Sequence, residues 1–170
     1  MLFYNLNKPS ETTDFRTSTI RGLGSDKGLF FPEHIPVQAA SWINKIENYS
    51  NEEIAWQIMN PYVGNTIPES VLRQILRETI AFDIPLVEIS QGISTLELFH
   101  GPTLAFKDVG ARFMSRCLGY FMNGEKRPVT VLVATSGDTG GAVASGFLGV
   151  EGVEVVILYP SGKVSLVQEL

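Results

Sequence analysis

Two textures of apolar and polar positions divide the chain. Residues 1–36 follow no period and are punctuated by Gly22, Gly24, Gly28, Pro32 and Pro36, so they read as irregular. Two short helices follow. Ser50 and Glu53 stand at capping-box spacing, and Ile54, Ile58 and Tyr62 then fall on one face, with Pro61 placed to end the helix. The second helix opens at Thr66, with Pro68 in its first turn and Glu69 at the box position. Val71, Leu72, Ile75, Leu76 and Thr79 make its buried stripe. These pieces predict a small helical N-terminal unit over residues 1–83.

From residue 84 the apolar positions gather into short runs. Residues 84–90 and 93–99 read as strands around Gln91-Gly92. A helix is predicted over 107–123, with Val109, Phe113, Met114, Cys117, Leu118 and Phe121 inward and Gly124 just past its end. VTVLVAT (129–135) does not alternate, as expected of a strand covered on both faces. A glycine-rich turn leads into a helix of small residues over 139–150, and VEVVILYP (153–160) is a second apolar strand. Strand, helix and strand over about thirty residues make a βαβ unit. The predicted class is therefore α/β: a small helical N-terminal unit, then the first part of a parallel-sheet domain over 84–170. Residues 161–170 read as a turn and the start of another helix, with no third parallel strand, which predicts an incomplete domain.

Length and charge narrow the functions. A chain of 170 residues is about one domain and part of another. Its formal net charge is -5 and no Lys/Arg stripe appears, which argues against nucleic acid and anionic membrane as partners. Small anionic ligands stay open, because local sites override net charge. The single cysteine, Cys117, excludes an intrachain disulfide, suits a reducing cytoplasm, and lies on an apolar face as a core residue would. The N-terminus has neither the basic nor the apolar region of a signal peptide, and no apolar run nears the ~20 residues of a membrane helix. His34 and His100 lie far apart with no ligand spacing, so no metal site is expected. A sheet left open would expose an apolar face, so self-association is expected.

Two segments carry candidate chemistry. In HGPTLAFKDVGARF (100–113), Lys107 follows a Gly-Pro-Thr turn and three apolar residues and opens a helix. A lone lysine is usually a solvated surface group. A lysine held partly out of water is a nucleophile, most often one that forms a Schiff base with a carbonyl substrate or pyridoxal phosphate. In TSGDTGGA (135–142), a turn joins the carboxyl end of a buried strand to a helix N-terminus. There the N–H groups of Gly137, Asp138, Thr139 and Gly140 would face outward to receive a carboxylate or phosphate. A capped tight turn explains the same residues without any ligand, with Asp138 as the helix cap. The turn lacks the G-x-G-x-x-G of a dinucleotide site, and Gly162-Lys163 lacks the upstream glycine of a P-loop.

HGPTLAFKD followed about thirty residues later by ATSGDTGGA resembles the β-family (fold type II) of pyridoxal-phosphate enzymes, and within it the threonine synthase family. GLGSDKGLFFPEHIP (22–36) and ILYPSGKVSLVQEL (157–170) are similar to further segments of that family. Relatives acting on serine or cysteine usually carry Asn where Asp138 stands. The resemblance implies a lyase that uses pyridoxal 5'-phosphate to convert O-phospho-L-homoserine and water into L-threonine and phosphate. It implies that Lys107 is the Schiff-base lysine and that Thr103 and Asp108 orient it. It also implies that Ser136, Gly137, Asp138, Thr139 and Gly140 hold the substrate, with Lys163 toward its phosphate. The groups that cradle the cofactor phosphate and partner the pyridine nitrogen are expected beyond residue 170, so the chain alone is expected to turn over little. Two other readings compete: a threonine or serine dehydratase of the same fold type, and a non-catalytic anion-binding α/β module.

Overall fold

The computed structural model describes residues 1–135 and 137–166, and the chain divides into two units, Met1–Arg77 and Glu78–Leu170. The closing helix expected near 165–170 lies mostly outside the described residues.

The opening of the first unit is not irregular. Strands β1 (Phe3–Asn5), β2 (Thr12–Thr13) and β3 (Phe30–Pro32) form an antiparallel sheet in the order β2-β1-β3. Helix α1 (Phe15–Arg21) lies between the last two in sequence, capped by the Asp14 carboxylate, which accepts from the Thr17 N–H at 2.7 Å. Strands of two or three residues are too short to display a period, which is why the hydrophobic pattern misses them. The sheet is organised around Asn5, a fully buried amide. Its Nδ2 donates to Glu11 Oε2 at 2.9 Å and to Asp26 Oδ1 at 2.7 Å, and its Oδ1 accepts from the Asn7 N–H at 3.0 Å. Gly24 and Gly28 close over this amide where any Cβ would overlap it. Four donor groups, the Asn5 amide, the N–H and hydroxyl of Ser25 and the Arg21 guanidinium, hold the Glu11 carboxyl down at about 2.

After the short helix α2 (Ala40–Ile43), α3 (Asn51–Val63) opens with the predicted capping box. Ser50 Oγ accepts from the Glu53 N–H at 3.2 Å, while the Glu53 carboxylate accepts from the Ser50 N–H at 2.8 Å. Ser50→Ala should lower the unfolding free energy by about 1 kcal/mol, measurable by urea titration. Pro61 does not end α3, which runs on to Val63 and stops at Gly64 with φ +57. Pro61 has no N–H to give the Gln57 carbonyl one turn earlier, yet the helix runs two residues past it. Ile58 of α3 is exposed rather than inward. Helix α4 (Glu69–Thr79) starts after Pro68, not at Thr66, whose hydroxyl instead donates to the Val63 carbonyl at 2.6 Å. Its stripe is largely as predicted: Leu72, Ile75, Leu76 and Thr79 are buried.

The second unit begins with the expected hairpin, β4 (Leu86–Ser90) and β5 (Ile93–Leu96), turning at Gly92 with φ +76. Leu86 pairs with Leu96, and the register slips between Glu88 and Ser90. Helix α5 (Lys107–Met122) buries Asp108, Ala111, Ser115, Cys117, Leu118, Phe121 and Met122 and ends before Gly124, whose φ of +78 suits that place. Burial pushes the Cys117 thiol up to about 12, so it is a core group and not a nucleophile. Met114, predicted inward, is exposed. Arg112 loses hydration, which lowers its pKa, and compensates by donating to the Glu78 carbonyl.

Strands β6 (Val129–Ala134) and β7 (Val153–Leu158) are parallel, in register from Val129↔Val153 to Ala134↔Leu158, joined by α6 (Asp138–Phe147). This is the predicted βαβ unit. Half-buried and exposed residues alternate along both strands, with Leu132 and Leu158 exposed, so the described residues cover one face of the pair and not both. Helices α5 and α6 cross where Gly146 meets Ala111, and a Cβ on Gly146 would lie 3.1 Å from the Ala111 carbonyl oxygen. Among the described residues no helix is long and apolar enough to cross a membrane.

Candidate active site

Lys107 is the first residue of α5, and the segment before it is one tight turn. The Leu104 N–H donates to the Gly101 carbonyl at 3.0 Å, and the Asp108 N–H to the Ala105 carbonyl at 3.0 Å. Asp108 is buried, and a buried carboxylate must be supplied with donors. Thr103 supplies both: its N–H reaches Asp108 Oδ2 at 2.9 Å and its hydroxyl reaches Oδ1 at 2.7 Å. Gly101 makes room for that carboxylate, since a Cβ there would lie 2.9 Å from the Cβ of Asp108. Lys107 itself is half-buried, with Nζ 4.9 Å from the centre of the Phe106 ring.

The lysine lines a cavity of about 560 Å³ bounded by α5, β6 and α6. Phe106, Met114, Val133 and Phe147 contribute to its wall, and Lys107 and Thr139 are the two polar side chains among its lining residues. The fold thus brings together the two segments singled out in the sequence, through one residue of each. The amine and the hydroxyl stand on an otherwise apolar wall that opens to solvent.

The rest of the glycine-rich turn is arranged differently from the expectation. Two of the four N–H groups predicted to face outward are engaged internally. That of Gly137 donates to Thr135 Oγ1 at 3.3 Å, and that of Gly140 to the Gly137 carbonyl at 2.9 Å. Gly140 is buried against Thr135 and Ile157, where a Cβ would come within 2.9 Å of the Thr135 methyl. Asp138 is exposed and is the first helical residue; the cap position belongs to Gly137, which has no side chain to offer. Ser136 lies outside the described residues. Lys163 is exposed in the turn after β7 and is not on the cavity lining. His100, beside the lysine's turn, pairs with Glu97 at 2.7 Å. Among the described residues no three His, Cys, Asp or Glu side chains converge as metal ligands would.

The lining roles of Phe106, Met114, Val133 and Phe147 were not foreseen from the sequence. Phe106 carried a signal, an exposed aromatic next to the lysine. Met114 carried a misleading one, because its helical period matches that of the core.

Comparison with known proteins places these features in a wider context. Residues 3–80 match the family described as threonine synthase N terminus. The chain is 43% identical over 169 residues to threonine synthase of Escherichia coli (strain K12), an alignment covering 99% of this chain and 39% of that protein. It is 39% identical over 178 residues to threonine synthase of Saccharomyces cerevisiae (strain ATCC 204508 / S288c), covering 94% of this chain and 35% of that protein. The crystal structure of the Escherichia coli threonine synthase superposes with a TM-score of 0.90 at 42% identity, over 99% of this chain and 39% of that one. Pyridoxal-phosphate-bound threonine synthase from Brucella melitensis gives a TM-score of 0.90 at 35% identity, over 99% of this chain and 37% of that one. The chain therefore spans about two fifths of the length of the relatives it matches.

Proposed function

We propose, from the premise that the chain corresponds to an N-terminal portion of threonine synthase, that it contributes to the conversion of O-phospho-L-homoserine and water into L-threonine and phosphate. One observation carries this reading beyond resemblance: Lys107 and Thr139, from the two motif segments, line the same apolar cavity. The residues fit pyridoxal 5'-phosphate in the chemistry of the reactive end, an amine beside an aromatic ring on a largely apolar wall.

Lys107 would hold the cofactor covalently and, when displaced by the substrate amine, take up the Cα proton. The bound cofactor supplies an electron-accepting ring that disperses the charge left at Cα. Thr103 and Asp108 flank the lysine. The turn of Ser136, Gly137, Asp138 and Thr139 would hold the substrate carboxylate, Gly140 would keep that turn packed on the sheet, and Lys163 would meet the substrate phosphate. The single buried thiol suits a cytoplasmic setting. The exposed apolar face of the β6–β7 pair supports self-association of the isolated chain.

Borohydride reduction after incubation with pyridoxal phosphate, followed by peptide mass mapping, tests the assignment. Label concentrated on Lys107 is expected in the full-length protein, together with phosphate release from O-phospho-L-homoserine. Label spread evenly over the lysines, with no phosphate released, would overturn it.

A further inference from the structure

The turn that delivers Lys107 contains a backbone conformation unfavourable to its residue. Leu104 has φ +56, in the left-handed region where a Cβ crowds the neighbouring carbonyl. Its side chain is 75% exposed, so packing within this chain returns little for that strain. Strained residues of this kind persist only where their surroundings over-determine them.

Beside the turn's own backbone bond from the Leu104 N–H to the Gly101 carbonyl, the surroundings include two side-chain hydrogen bonds. The Asp108 carboxylate grips the N–H and the hydroxyl of Thr103, the residue just before Leu104, at 2.9 and 2.7 Å. Asp108 is itself anchored as the second residue of α5 and buried. Between clasp and anchor lie Leu104, Ala105, Phe106 and Lys107. Opening the clasp would let Leu104 relax toward the ordinary right-handed or extended regions, and the first turn of α5 would re-aim the lysine.

We propose that Asp108, clasped onto Thr103, is a positioning residue that holds Leu104 in the left-handed region and so directs the Lys107 amine into the cavity it shares with Thr139. The inference deepens the cofactor-lysine reading above and rests on it for its purpose, but the clasp is testable by itself. It has a distinctive consequence. The clasp is needed because residue 104 is not glycine, which reaches the same φ without crowding. Leu104→Gly should therefore compensate for a broken clasp, which a merely structural contact would not allow.

The experiment follows cofactor attachment and not turnover. Full-length protein is incubated with pyridoxal phosphate and reduced, and the labelling rate at Lys107 is compared with that at exposed Lys126 as an internal reference, with circular dichroism confirming the fold. Thr103→Val removes one donor and leaves the carboxylate in place. It should slow labelling at Lys107 by about tenfold, the scale on which backbone strain of this kind shifts populations, and leave Lys126 unchanged. Thr103→Ser should label as wild type. Thr103→Val combined with Leu104→Gly should recover most of the lost rate. Wild-type labelling in Thr103→Val, or no recovery in the double variant, overturns the proposal. If wild-type Lys107 labels no faster than Lys126, it is the cofactor-lysine reading that fails. Acetylation rates of Lys107 in the same proteins then decide the clasp: a rate unaltered by Thr103→Val overturns it, and a changed rate restored by Leu104→Gly sustains it.

Discussion

Lys107→Ala is expected to leave the protein folded and unable to retain pyridoxal phosphate. The side chain is half-buried at the edge of a cavity and fills no core position, so stability should move by no more than about 0.5 kcal/mol. The chemistry should fall much further. On the proposed reading, in which one group is both covalent anchor and base, its loss should cut turnover by about a thousandfold or more. Three measurements check this: phosphate release from O-phospho-L-homoserine, retention of the cofactor through gel filtration, and a urea titration. A variant with wild-type turnover would transfer the lysine role elsewhere and dissolve the functional reading. A variant that unfolds would instead make Lys107 structural, contrary to its position on the cavity wall.

The second large effect is expected in the first unit. Asn5→Asp removes one donor from Glu11 and one from Asp26 and places a third carboxylate between them. A carboxylate placed at a fully buried position between two like charges should cost about 3 kcal/mol or more. The pH dependence gives the signature. In the wild type, hydrogen bonds from Asn5, then Ser25 and Arg21, hold Glu11 at about 2, below its ordinary 4.5. A depressed carboxylate contributes stability that is complete above its unfolded value and is lost as pH falls through the folded one. Wild-type stability should therefore decline between about pH 4.5 and 2. The variant should behave in the opposite sense over that range. Its deficit is greatest at neutral pH and shrinks on acidification, as protonation relieves the repulsion among three carboxylates. Urea midpoints at pH 7 and pH 3.5 separate the two, and a deficit that does not vary with pH would contradict the electrostatic account.

Much of this molecule was legible wherever a period or a cap could speak. The Ser50–Glu53 box, the stripe Leu72-Ile75-Leu76, the turn at Gly92, the glycine after α5 and the βαβ unit all follow from local chemistry. One group of misreadings arises because the partner was not local in sequence. Strands β1, β2 and β3 exist because distant residues converge on the Asn5 amide, which no window of a few residues can display. VTVLVA reads as doubly covered from its composition, yet coverage belongs to whatever packs on it. Lys107 was legible from its turn and its apolar approach. The reason for its neighbours was not, because the bond from Thr103 to Asp108 spans five residues with no standard motif. The engaged N–H groups of Gly137 and Gly140 were hidden for a different reason: their acceptors are two and three residues away, but a turn's type decides which of its donors turn inward.

The pairing of β6 with β7 also governs how the second unit is reached from the unfolded chain. Every partner along that ladder, from Val129 with Val153 to Ala134 with Leu158, is separated by the same stretch of chain, and that stretch is filled by α6. No single contact of the ladder is cheaper to close than another, so it has no zipper end from which to start. The β4–β5 hairpin is different: Ser90 and Ile93 adjoin the turn and can close first. The ladder must wait until α6 has formed and settled against α5 through the Gly146–Ala111 crossing, which brings both strands into reach together. The helix crossing is then expected to precede the parallel strands, and the cavity beside them should assemble as its product.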